Sequence, residues 1–203
     1  MASRQNRNLP GRVGLIQVLA VTAKRMTDPL PRIAGGVVLR RLAPADLGDF
    51  QAYRHDAELG QYQGWAATPD DDARNFLSHM STAKILQPGV WCQIGIAESS
   101  SLNLIGDIGL LLASDSLQAE IGFTLRRQSQ GRGLATVAVQ EAIGLVFEHT
   151  RAEKIVGITD ARNVASIRLL ERVGMRKVDT RSATFRGKSC TEYVYAVRKH
   201  YDG

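Results

Sequence analysis

Two cysteines in 203 residues, Cys92 and Cys190, are too few and too far apart to make a disulfide framework or a thiolate metal site. Their scarcity points to reduced thiols and a cytoplasmic setting, with no metal. Acidic residues are almost missing from the first 35 positions. Asp28 stands alone there against Arg4, Arg7, Arg12, Lys24, Arg25 and Arg32, so this stretch holds five of the six net positive charges. The rest of the chain is close to neutral. Such a balance argues against an extended nucleic-acid surface, although a basic tail acting on nucleic acid is a reading that truncation would test. No long hydrophobic run is present. The longest, Val13–Val21, is interrupted by Gln17 and followed at once by Lys24-Arg25. It is too short to span a bilayer, so no membrane partner is expected. It reads as part of an extension, with Met26 as an alternative start, rather than as a secretory signal. There is no internal repeat and no low-complexity segment.

What is present is enough for one core: 44% of residues are hydrophobic and 23% charged. Residues 1–35 are set aside as a basic extension, leaving one domain over 36–200. The pattern begins with a β-branched strand at 37–42, then a helix opening on Pro44 with Leu47, Phe50 and Tyr53 on one face. A loop at 61–68 carries Tyr62 and Trp65. Thr68, Pro69 and Asp70–Asp72 then start a second helix running to about Leu86. Three strands with short turns, near 90–98, 103–112 and 117–125, form an antiparallel meander. A helix over 132–150 and the apolar strand Lys154–Asp160 follow, which makes that strand parallel to its predecessor. Asn163 caps a helix ending at Gly174, and strands near 175–182 and 190–198 close the chain. The fold class is α+β: a mixed, mostly antiparallel sheet of about seven strands flanked by four helices.

The residues that carry chemistry cluster at Gln128-Ser-Gln130-Gly131-Arg132-Gly133-Leu134-Ala135, between a strand and a helix. Glycines there let consecutive N–H groups approach a ligand. The helix N-terminus adds unpaired donors suited to a pyrophosphate. Arg126, Arg127 and Arg132 add cationic donors. A dinucleotide fingerprint is excluded because Thr136 stands where the third glycine or alanine would be. Gly187-Lys188-Ser189 fails as a Walker loop because position 182 is Ser182 and a strand follows.

Three stretches together resemble the GNAT superfamily of N-acetyltransferases. They are Ala119-Glu-Ile-Gly-Phe-Thr-Leu125, Gln128 to Thr136, and Asp160-Ala-Arg-Asn163-Val-Ala-Ser166 through Gly174-Met. Leu39–Asp46 and Tyr62-Gln-Gly-Trp65 narrow the resemblance to the ribosomal-protein-alanine N-acetyltransferase branch. It covers about 37–198 and is most specific over 119–174. The resemblance implies acetyl-CoA as donor, its pyrophosphate on the amides of about Gln128–Leu134. It also implies a pantetheine arm between two parallel strands that splay apart, 117–125 and 153–160, and a thioester carbonyl polarised near Phe123 or Thr124. Leu125 and Ala135 complete the expected donor-binding set with Asn163 and Ser166. The reaction implied is direct attack by a primary amine, of a protein N-terminus or a small molecule, in a ternary complex.

Two departures bear on the proton route. Many relatives have a tyrosine acid four residues before the helix-ending glycine; here it is Leu170. Ser166 is the substitute, with simple first-turn capping as its other reading. Val137 stands where many relatives carry a glutamate. Glu120 is the first candidate base, on the strand face opposite Ile121 and Phe123; an exposed strand carboxylate is the plain alternative. Asp107 is the second candidate. Asn163 reads as a cap and as a ligand to the pantetheine amides. Tyr62 and Trp65 read as packed loop residues or as a wall of the acceptor pocket. His55 and His149 read as structural. A non-catalytic acetyl-CoA-binding or regulatory module is the alternative function, kept open by Leu170. A monomer or a homodimer is expected.

Overall fold

The computed structural model describes residues 28–200. The extension before Asp28, including the apolar run and Met26, lies outside them. Eight strands form one sheet in the order β1-β2-β3-β4-β5-β6-β8-β7. They are β1 (Arg32–Ala34), β2 (Val37–Arg41), β3 (Trp91–Glu98), β4 (Leu104–Leu112), β5 (Gln118–Leu125), β6 (Lys154–Asp160), β7 (Arg176–Phe185) and β8 (Lys188–Arg198). The helices are α1 (Leu47–Arg54), α2 (Ala57–Gly60), α3 (Asp70–Thr82), α4 (Leu134–His149) and α5 (Val164–Arg172). None of these is long and apolar enough to cross a membrane.

The α+β class holds, with β1 and the four-residue α2 added to the expected elements. The boundary at 36 needs correction. Residues 32–34 pair with Val37–Leu39, and Leu30 packs against the main core. Arg32 reaches α4, where its guanidinium meets Glu141 at 3.0 Å and Glu148 at 2.6 Å. A three-residue strand beside Pro31 and Gly35-Gly36 has too little alternation to declare itself. The second helix also ends at Thr82, short of Leu86, whose φ is +59°. Thr68 does not cap it; its carbonyl instead accepts from Gln51.

Alternation along the strands divides the side chains between two faces. On one face, Ile108, Leu110, Ala119, Ile121, Leu125 and Ile155 bury against Ala138, Val139, Ala142, Leu145 and Val146 of α4 and Leu169 and Leu170 of α5. Helices α1 and α3 build a smaller core from Phe50, Tyr53, Ala73, Leu77 and Met80 with Leu42 and Leu104. Among the described strands the one parallel pair is β5 with β6. It holds for three residues, Gln118–Glu120 against Lys154–Val156. Beyond Glu120 the two strands part. β6 stays paired to β8 through Asp160, and β5 stays paired to β4 through Leu125.

Candidate active site

The separation leaves an unpaired edge on β5. Within a strand, one residue's N–H and C=O point to the same side. The Phe123 carbonyl accepts from the Gln63 side chain at 3.3 Å, and the Leu125 carbonyl from Gln130 at 2.8 Å. Phe123 and Leu125 therefore present their backbone groups to the gap, and two glutamine amides stand where a neighbouring strand would. The Phe123 N–H faces the same gap. A small cavity of about 50 Å³ lies there, lined by Gly122, Phe123, Gly157, Thr159, Ser166 and Leu170 among others.

This cavity adjoins a groove of about 740 Å³ that runs to the N-terminus of α4. The turn into α4 is built on Gly131 and Gly133, both in the left-handed region at φ +75° and +78°. A side chain at either position would be strained although space is open around it. The N–H groups of Gly131 through Thr136 have no backbone or side-chain acceptor among the described residues. Gly133, as N-cap, supplies no side-chain cap either. Six free donors at the positive end of a 16-residue helix form a cradle for an anion. The Thr136 hydroxyl, on the same turn, is buried without a partner.

Of the residues expected to hold the donor, Phe123, Thr124, Leu125, Gln130, Gly131, Gly133, Leu134, Ala135, Asn163 and Ser166 line the groove. Gln128 is exposed in the short turn Arg127–Ser129 and does not. Arg132 does not line it either: its guanidinium is turned to Glu98 at 2.7 Å. Arg127 forks onto Asp56 and also meets Glu58. That pairing holds the Asp56 carboxyl down at about 2 and raises the arginine, each chiefly through their mutual hydrogen bond. Arg126 donates to Ser129 and lies 3.7 Å from Asp49. The three arginines of the motif are thus committed to protein partners. The cations that line the groove without a carboxylate partner among the described residues are Arg168 and Arg172 on α5. Their four-residue spacing reads in sequence as an ordinary solvated helix face.

Asn163 caps α5, its Oδ1 accepting from the Ser166 N–H at 3.1 Å. Its side-chain N–H groups have no acceptor among the described residues, and Asn163 lines the groove. Ser166 lines both cavities, and its hydroxyl has no partner among the described residues. Helix α5 ends with Gly174 at φ +87°. The Met175 N–H reaches Leu170 and the Gly174 N–H reaches Glu171, the paired bonds of a Schellman ending. Leu170 itself packs where a Cβ on Gly157 would stand, 2.7 Å from its Cδ2. This position therefore presents a hydrocarbon to the gap.

Glu120 does not line the donor groove. It lies on the last parallel pair, on the sheet face away from α4, in register with Leu111 and Val156. Burial raises its carboxyl above the usual range. Arg181 counters this and Glu192 adds to it. No hydrogen bond or ion pair to Glu120 is present among the described residues. Asp107 is a different case. It is 2% exposed, and its Oδ2 accepts from Tyr53 Oη at 2.5 Å and from Arg54 Nη2 at 2.7 Å. Its burial and its pairing with Arg54 favour an anchoring role over that of a base. Arg54 continues the cluster upward, stacked 4.4 Å below the Trp65 ring and 4.7 Å from Phe50. Arg186, on the β7–β8 turn, donates to the Trp65 carbonyl at 2.8 Å. Trp65 is thereby a packed anchor of the 61–69 loop, while Tyr62 lines both cavities. Cys190 is free and Cys92 is buried.

The acetyltransferase (GNAT) domain family model matches residues 37–176. An uncharacterised N-acetyltransferase of Bacillus licheniformis is 25% identical over 143 residues, 70% of this chain and 79% of its own length. A GNAT-family acetyltransferase structure from Bacillus anthracis superposes with a TM-score of 0.74 at 20% identity, covering 83% of this chain and 98% of that one. A ribosomal-protein alpha-N-acetyltransferase, solved with coenzyme A, superposes at 0.70 with 18% identity, covering 82% and 96%. At such identities the structural likenesses speak for the fold.

Proposed function

The chain belongs to the GNAT acetyltransferase family, and from that premise we propose that it transfers the acetyl group of acetyl-CoA to a primary amine by direct attack in a ternary complex. The observation that carries this is the open gap between β5 and β6 leading onto the six unpartnered amides at the α4 N-terminus. The pyrophosphate takes those amides, with Arg168 and Arg172 across the groove as the cationic donors. The pantetheine arm lies along the free edge of β5, its amides meeting the backbone of Phe123 and Leu125 and the side chain of Asn163. The Phe123 N–H faces the thioester carbonyl and stabilises the oxyanion.

Proton traffic is assigned to two groups. Ser166, whose hydroxyl is free at the junction of both cavities, donates to the departing thiolate. Glu120 draws the proton from the attacking ammonium through water. Burial raises its carboxyl, which makes it a stronger base than an exposed glutamate. The ribosomal-protein-alanine branch, and hence a protein N-terminus, stays within this reading as one acceptor class among amines. The test is calorimetry with acetyl-CoA, followed by an amine panel read as free-thiol release. Binding with thiol release on at least one amine is the expected result; absence of binding would remove the donor assignment.

A further inference from the structure

The two edges of the sheet are built differently. β1 closes one edge with three residues between Pro31 and Gly35, and a very short strand beside a proline is a blunted edge. β7 closes the other with ten residues and no proline, and Arg176 through Ser182 are all exposed. Among the described residues its one neighbouring strand is β8. Arg176, Lys177 and a bulge between Lys177 and Asp179 protect the start of the strand. Beyond the bulge, Asp179–Phe185 runs in unbroken register with β8, and Arg181 is its single cation.

The ladder determines which groups this segment offers. In an antiparallel pair, alternate residues turn their N–H and C=O toward the partner strand and the others turn them away. The Thr180 N–H donates to the Asp179 carboxylate at 2.7 Å rather than to β8. Thr180 therefore faces outward, and so by alternation do Ser182 and Thr184. No other described residue reaches the Ser182 or Thr184 N–H from the open side. The side chains beside them are unsaturated. Asp179 keeps Oδ2 without a partner among the described residues. Arg181 spends Nε and Nη2 on Glu192 Oε2, each at 2.9 Å, and its Nη1 has no partner among them.

We infer that this edge is the pairing surface for a second copy of the chain, joined antiparallel about a two-fold axis at Thr180. That axis sets Asp179 of each copy opposite Arg181 of the other, so one strand supplies two opposite-charge pairs with itself. An axis at Arg181 would place two arginines face to face. An axis at Ser182 would set Asp179 against Phe185 and Arg181 against Ala183. Charge thus selects both the occupant and its register. Pairing takes the Thr180 N–H into the new ladder and releases the Asp179 carboxylate to Arg181 of the second copy. No residue of β7 lines the donor groove, so the second copy leaves that groove open.

The experiment reads the oligomeric state of the full chain by sedimentation velocity over a concentration series, with amide hydrogen exchange at both ends of the series. The parent is expected to show a species of twice the chain mass, with protection at Ser182 and Thr184 that rises with concentration. Asp179→Lys and Arg181→Glu should each weaken this dimer by about tenfold or more, because each places like charges across the axis twice. Mixed in equal amounts, the two variants should recover it at parent strength, since every pair across the axis is again of opposite sign. Recovery on mixing also separates a lost contact from a lost fold. A parent that stays monomeric throughout overturns the inference. So does a dimer that survives both single changes at parent strength, or a mixture no more dimeric than its components. Protection of Ser182 and Thr184 that does not change with concentration would give this edge to the chain's own N-terminal extension, and would overturn it as well.

Discussion

Removing the Asp107 carboxylate tests whether that group is an anchor or part of the chemistry. Asp107→Asn keeps the shape but deletes the charge that faces Arg54, whose side chain is 5% exposed. The guanidinium would stay buried with Gln93 at 3.3 Å, the rings of Phe50 and Trp65, and an Nε that already lacks a partner. Breaking one side of a buried pair costs about 3–5 kcal/mol, because the surviving charge is left uncompensated. For a body of this size each kcal/mol moves the melting temperature by about 2–4 °C, so the drop should be about 6–20 °C. The double variant Asp107→Leu with Arg54→Met removes both charges and should recover most of the loss. Scanning calorimetry measures both. Acetyl transfer by Asp107→Asn, assayed well below its melting temperature, should remain within about tenfold of the parent, since a missing general base would cost about 10²–10⁴-fold. A drop of under 1 °C would show that the pair is not the anchor its burial implies, and so would a double variant no better than the single one. A loss of turnover beyond a hundredfold in folded protein would return Asp107 to the proton route.

Gly131→Glu should abolish acetyl-CoA binding while leaving the apo melting temperature within a few degrees, because it introduces bulk and negative charge at the cradle; calorimetric binding that survives the change would count against the anion assignment. Ser166→Ala should lower turnover by about ten- to a thousand-fold with donor Kd unchanged, and parent-like turnover would send the leaving-group proton through water. Glu120→Gln should slow the rate most at low pH, where the amine is protonated. Its stability effect has a definite sign. Folding raises the Glu120 carboxyl, so its contribution is present when it is protonated and is lost as pH rises through the folded value. The glutamine variant should therefore melt higher than the parent at neutral pH and not at pH near 4; the opposite ordering would contradict a desolvated carboxylate. Arg32→Ala should destabilise by no more than about 1 kcal/mol, since its ion pairs are partly exposed, and a larger loss in denaturant titration would show that β1 holds α4 more firmly than this.

The turn and helix start of the candidate donor site are legible in the sequence because they are made of backbone. Gly131 and Gly133 between an alternating strand and an apolar helix describe a turn, a helix start and a set of free amides without any knowledge of side-chain direction. The pairing of the motif's arginines is hidden from the sequence for the complementary reason. Arg126, Arg127 and Arg132 are near the cradle in sequence, but Asp49, Asp56, Glu58 and Glu98 reach them from α1, from the α2 segment and from β3. Proximity along the chain carries no information about those distant carboxylates. Arg168 and Arg172 carry no sequence signal, since cations on an exposed helix face are common. Asn163 and Gly174 bounded α5 correctly, as local capping does not depend on the rest of the fold. Gln63 had no signal at all. Its role depends on an unpaired strand edge that exists only after β5 and β6 have diverged.

That edge has a consequence for how affinity is interpreted. Because Gln63 and Gln130 already satisfy the Phe123 and Leu125 carbonyls, an amide-bearing ligand entering the gap would exchange one set of hydrogen bonds for another. The exchange is close to neutral in free energy, since bonds formed are matched by bonds released. Counting strand-like contacts in a liganded complex would therefore overstate their contribution to donor binding. On the proposed donor assignment, net affinity comes from groups unmatched among the described residues, namely the α4 amides and Arg168 and Arg172 of α5. Donors trimmed at the pantetheine end should then lose little binding, and donors trimmed at the phosphate end should lose most of it.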